Sequence, residues 1–148
     1  MVRNAIYEPL RLVSRDSRSW FEICPWSDDG AFTALRLEAQ IDVGGSRFTA
    51  LNRSVIPLNL AEFPPAIDRF IMDRSVRPSL DGTDDSFFRL TTRSPLQVCC
   101  HFSIGDTYCG GPGPHETYRL TGTFEIDQDR LHQIHEYFRR LALIPSWA

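Results

Sequence analysis

The chain spells one structural plan twice. Ser19-Trp20-Phe21-Glu22-Ile23 returns as Ser86-Phe87-Phe88-Arg89-Leu90, and the apolar series Leu60, Phe63, Ile67, Phe70 returns as Leu131, Ile134, Phe138, Leu141 with the same gaps of three, four and three. Each series closes a run of segments with strand patterning. Such a repeat constrains architecture strongly and chemistry hardly at all, because each copy is a supersecondary unit that must bury an apolar face. It predicts a single domain over residues 1–148, with pseudo-repeats at about 19–73 and 86–144. A chain of 148 residues buries enough of its surface to need no disulfide or metal staple.

Strand signals dominate both halves. Strands are expected at Ala5–Val13, at Trp20–Trp26 before the turn signal Asp28-Asp29-Gly30, at Ala31–Val43 and, after Gly44-Gly45, at about Arg47–Ile56. In the third, Leu35, Leu37, Ala39, Ile41 and Val43 alternate with Arg36, Glu38, Gln40 and Asp42, the period of a strand with one buried side. Asn59 and Glu62 read as a capping box before a helix whose regular part begins near Pro65 and stops before Arg74. Residues 75–85 are expected to form an exposed connection. The second half repeats the scheme with strands at Phe87–Thr92, about Leu96–Ile104 and Tyr118–Ile126. A final helix follows, capped by Asp127 or Asp129 and running to about Leu143. The expected fold is therefore α+β: an antiparallel sheet of about seven strands, in the order ββββα-βββα, with two helices packed on one face.

The chemistry is sparse. No lysine occurs among the 16 basic residues, which removes Schiff-base and phosphate-loop lysines, and the net charge of −3 gives no field for a nucleic-acid backbone. Arg3, Glu8 and Arg11 interrupt the first twelve residues, and no window has the length of a membrane span, so a cytoplasmic protein with no membrane contact is expected. Cys24, Cys99, Cys100 and Cys109 then read as free thiols. His132 and His135 lie three apart beside Glu136 but lack a third metal ligand. Cys99 and His101 share a strand face, where a thiolate–imidazole pair is conceivable, yet no orienting group is evident. The Cys109–His115 loop has glycines without the lysine of a phosphate cradle, and the carboxylates of Asp28-Asp29 and Asp81/Asp84/Asp85 lack calcium-loop spacing. No catalytic residue, metal ligand or cofactor is expected.

What remains is surface. If Phe21 and Ile23 point to the core, Trp20 and Trp26 stand on the opposite face, with Phe87 as Trp20's counterpart. Exposed aromatics in contiguous array mark a binding or dimer surface. The candidate contact residues are Trp20, Trp26 and Phe87 with the loop acids Asp28, Asp29, Asp84 and Asp85.

The strand Trp20-Phe21-Glu22-Ile23, the opening Gly30-Ala31-Phe32-Thr33-Ala34, the Leu60/Phe63/Ile67 helix and Leu120-Thr121-Gly122-Thr123-Phe124 leading through Ile126 to Leu131 carry a resemblance. Over residues 19–143 the order of elements resembles the WapI-type bacterial immunity proteins, a loose group that includes many domains of unknown function. The resemblance implies a non-enzymatic protein that binds and neutralises a cognate toxin, and it assigns no functional residues. An acidic balance suits a basic toxin. Two other readings stay open: a dimeric secretion chaperone for an effector, and a small enzyme or ligand binder using Cys99/His101 or the Cys109–His115 loop.

Overall fold

The computed structural model describes residues 8–26, 34–108 and 116–144. The first half contains β1 (Leu10–Val13), β2 (Trp20–Trp26), β3 (Ala34–Val43), β4 (Ser46–Val55) and α1 (Phe63–Met72). The second contains β5 (Ser79–Asp81), β6 (Phe87–Ser94), β7 (Gln97–Tyr108), β8 (Glu116–Glu125), a 3-10 turn at Gln128–Arg130 and α2 (Leu131–Ala142). Each set of four strands is an antiparallel meander in sequence order. The fold is α+β, but the expected single sheet of about seven strands is replaced by two sheets of four.

The eighth strand is β5, which lies inside the expected exposed connection at 75–85. Three residues are too few to show a strand period, and its ladder with β6 is completed by a side chain. The Asn59 Nδ2 donates to the Ser79 carbonyl at 2.9 Å, and its Oδ1 accepts from the Asp81 N–H at 2.8 Å. Asn59 thus serves the free edge of β5 as a neighbouring strand would. It does not cap α1, which carries no side-chain cap and starts at Phe63, earlier than Pro65. Pro64 and Pro65 fall in the first turn, where their missing N–H groups have no helical partner to lose. Asp127 accepts from the Asp129 N–H at 3.0 Å at the entry to the second helix, as expected.

All eight members of the duplicated helical series are buried, from Leu60 and Phe63 to Phe138 and Leu141. They share one core with the inner rows of both sheets. Phe21 of β2 stacks on Phe88 of β6 at 5.2 Å and on Phe102 of β7 at 5.1 Å; Phe63 of α1 meets Phe138 of α2 at 4.8 Å, and both touch Phe88. The helices therefore cover a cleft shared by two sheets, not one face of a single sheet. Each half's helix is also tied to the other half. The segment entering α1 binds β5 through Asn59 and through the Leu58 N–H to the Asp81 carbonyl at 2.9 Å. From α2, the Tyr137 hydroxyl donates to the Ile23 carbonyl at 3.1 Å, and the adjoining Arg130 reaches the Arg11 carbonyl at 3.0 Å.

The repeat extends to individual hydrogen bonds. The Ser19 Oγ accepts from the Asp42 N–H at 3.1 Å, and the Ser86 Oγ accepts from the Gly105 N–H at 3.1 Å. Trp20 sits opposite Gln40 in the same register in which Phe87 sits opposite Ser103. Buried Asn52 joins the sheets, donating to the Gly105 carbonyl at 2.7 Å.

Candidate functional site

Strand β2 decides the surface. Phe21 and Ile23 are fully buried toward the core, so alternation turns Trp20, Glu22, Cys24 and Trp26 to the outer face of the first sheet. That face is not bare. Arg11, opposite Glu22 on β1, lays its guanidinium 4.0 Å from the Trp20 ring and donates to Glu22 at 2.7 Å. Glu22 also accepts from Arg36 of β3. The Arg36 and Arg53 guanidiniums each lie 5.7 Å from the Trp26 ring. The sequence Trp20–Arg11–Glu22–Arg36–Trp26–Arg53 thus forms one stacked row across four strands. Glu22 within the row and Cys24 on the same strand face are buried, and both tryptophans are half-buried. Stacking on a flat cation fixes each indole while leaving part of its surface free.

The expected contiguous aromatic platform is divided. Trp20 and Trp26 share one strand, about 20 Å apart by strand rise. Phe87 belongs to the outer face of the second sheet. There the Arg89 guanidinium stacks on it at 3.7 Å and His101 meets it edge-on at 5.1 Å. Asp84 and Asp85 form the exposed turn before β6, both with left-handed backbone (φ 59° and 56°), a conformation aspartate tolerates better than most residues. Asp84 accepts from the Asn52 amide at 3.4 Å, and Asp85 lies 4.0 Å from Arg119. Asp28, Asp29, Cys109 and His115 lie outside the described residues.

The nucleophile reading of Cys99 and His101 finds little help in the surroundings. Cys99 and His101 share the outer face as expected, and Cys100 faces the core, but burial pushes the Cys99 thiol up and the Cys100 thiol further up. Burial, with Arg89 second, pushes His101 down. A thiol shifted this way holds its proton at neutral pH. His132 is exposed and His135 half-buried on the flank of α2. Among the described residues no group of three or more His, Cys, Asp or Glu is placed to hold a metal ion, and no helix is long and apolar enough to cross a membrane.

The stacked row was only half legible in the sequence. Alternation in β2 located the tryptophans, but the arginines that cover them come from β1, β3 and β4 and meet only through ladder register. Compared with known proteins, the chain matches no family model, no curated protein and no solved structure.

Proposed function

We propose that the chain is a non-catalytic binding protein of the immunity type, neutralising a toxin by direct contact. The supporting observation is the pair of tryptophans on the outer face of the first sheet. The Arg11 guanidinium lies 4.0 Å from the Trp20 ring, those of Arg36 and Arg53 lie 5.7 Å from the Trp26 ring, and both rings keep part of their surface exposed. Rigid amphipathic rings with arginine beside them are the side chains that dominate protein–protein affinity, because little rotamer entropy is lost when they are covered. The apolar stripes of both helices lie in the core and are not open to a partner. The exposed carboxylates of Asp84 and Asp85 suit a basic partner and would speed encounter.

The test is growth. The chain is co-expressed with the toxin gene adjoining its own locus, beside a Trp20→Ser/Trp26→Ser variant whose fold is checked by circular dichroism. Protection by the parent and loss of protection by the folded variant are expected. Undiminished protection by the variant would remove this surface from the reading, and a locus without a toxin gene would remove the immunity role.

A further inference from the structure

The two sheets place β1, β4, β5 and β8 at their edges, and the fold treats those edges unequally. On β5, Asn59 holds the Ser79 carbonyl and the Asp81 N–H, and the Leu58 N–H holds the Asp81 carbonyl. On β1, the Arg11 carbonyl accepts from Arg130 at 3.0 Å. The ten-residue β4 is closed at one point near its middle and open from there to the hairpin.

The hairpin fixes which groups are open. Gly44 and Gly45, with φ of 58° and 87°, join Val43 to Ser46 in a two-residue turn. Such a turn makes Val43–Ser46 a hydrogen-bonded pair, and ladder alternation makes Ile41–Phe48 and Ala39–Ala50 the next two. Arg47, Thr49 and Leu51 therefore direct their N–H and C=O groups away from β3. One bond verifies this phase: the Leu51 carbonyl accepts from the Tyr118 hydroxyl at 2.7 Å. Arg47 and Thr49 are both exposed, and among the described residues their outward groups have no partner. Phe48 stands between them, 52% exposed, and Val43 on the neighbouring strand is 62% exposed. Ala50 and Asn52, on the same side of β4 as Phe48, are buried, so an apolar row runs out of the core along the hairpin. An open edge carrying apolar side chains is a template for another strand. β4 has no proline to blunt it, and its ladder irregularity lies at the far end, opposite Leu35 and Leu37.

We propose that β4 pairs with β4 of a second copy of this chain, antiparallel across a two-fold axis at Phe48. In that register Arg47 exchanges both backbone bonds with the second copy's Thr49, and Thr49 with its Arg47. Every group left open between the turn and Leu51 is then used. Sliding the pair by two residues toward Leu51 would require the carbonyl that Tyr118 already holds. Phe48 faces Phe48 in a non-hydrogen-bonded pair, the closer of the two ladder spacings, so each ring covers the other. Charge permits the pairing: Arg47 lies opposite Thr49, and Arg53 falls beyond the paired segment. A second copy is the occupant the edge fits because the same two residues supply matched donors and acceptors, the self-complementarity of a two-fold contact. The axis is perpendicular to the sheet, so the tryptophan faces of both copies point to the same side. The pairing does not rest on the toxin-binding reading.

Sedimentation equilibrium of the full chain over about 10 µM to 1 mM is expected to show a reversible dimer, weak because a short strand pair buries less than a standard interface. Amide hydrogen exchange at Arg47 and Thr49 is expected to slow as the dimer fills. Thr49→Pro deletes an outward N–H and leaves the ladder with β3 intact, so it is expected to weaken the dimer about tenfold or more, as is Phe48→Ser. Leu96→Ser, at an apolar residue 71% exposed in the turn between β6 and β7, is expected to leave it unchanged. A monomer throughout the range overturns the pairing. So does a dimer indifferent to Thr49→Pro, an equal loss in Leu96→Ser, or exchange at Arg47 and Thr49 that ignores concentration. A monomeric Thr49→Pro variant that still protects against the toxin supports the pairing as a separate property, and a dimer that gives no protection removes the toxin reading alone.

Discussion

Phe87 and Phe88 are chemically identical neighbours with opposite assignments, so truncating each in turn tests the whole arrangement of faces. Phe88 is 1% exposed and touches three rings: Phe21 at 5.2 Å, Phe138 at 5.7 Å and Phe63 at 5.8 Å. These come from β2, α2 and α1, so Phe88 lies where both sheets and both helices meet. Truncating a buried phenylalanine to alanine costs about 3–5 kcal/mol in transfer and cavity energy. Lost ring–ring geometry adds roughly 0.5–1.5 kcal/mol per pair, less than additively. Phe88→Ala is therefore expected to cost about 5 kcal/mol, a third or more of the stability of an ordinary domain. At this chain length that lowers the melting temperature by about 10–20 °C. Phe87→Ala removes only the stack with Arg89 and the edge contact with His101 on a partly exposed face, about 1 kcal/mol. Urea unfolding followed by far-ultraviolet circular dichroism gives both values on one scale. Equal losses, or a larger loss at Phe87, would refute the division into inner and outer faces.

Two further tests address the sheet junction and the thiols. Gly105→Ala places a Cβ 2.1 Å from the Asp84 carbonyl oxygen, a backbone atom in a hydrogen-bonded turn, so a loss of about 3 kcal/mol is expected in the same urea assay; an unchanged midpoint would contradict the close approach of β7 to that turn. Burial raises the thiols of Cys24, Cys99 and Cys100 above 9.0, so the folded state favours their protonated forms. The stability this contributes is fully present below the unfolded value and is lost as pH rises through the higher folded values. Tyr137, also raised, adds to the same alkaline loss above its ordinary value of 10.0. The urea midpoint is expected to stay level between about pH 7 and 8, to fall above about pH 9, and to fall below about pH 6.5 as the unfolded chain takes up the proton that burial keeps off His101. In a Cys109→Ser variant at neutral pH, thiol reagents should react slowly until denaturant is added; rapid labelling of the native protein would reopen the nucleophile reading at Cys99.

The sequence by itself determined the elements that carry their own period. The third strand alternates from Leu35 to Val43, and the two helical series repeat one spacing, so their buried faces were readable from Leu35, Leu37 and Ala39 or from Ile67 and Phe138 before any coordinates, although Val43, at the end of the strand, is exposed. It also determined that the chain repeats itself, because matching strand openings at Ser19 and Ser86 needed only comparison of two short strings. Tertiary structure alone decided how many sheets those strands make. Alternation says which side of a strand is apolar, and that side looks the same whether it packs on a helix or on a second sheet. β5 was invisible because the partner on its other edge is the Asn59 side chain, brought from a distance in sequence. The partners of the outer-face side chains were invisible for the same reason. Whether an exposed arginine meets an aromatic ring, a carboxylate or open solvent depends on which residues ladder register sets beside it, and register is a property of the assembled sheet.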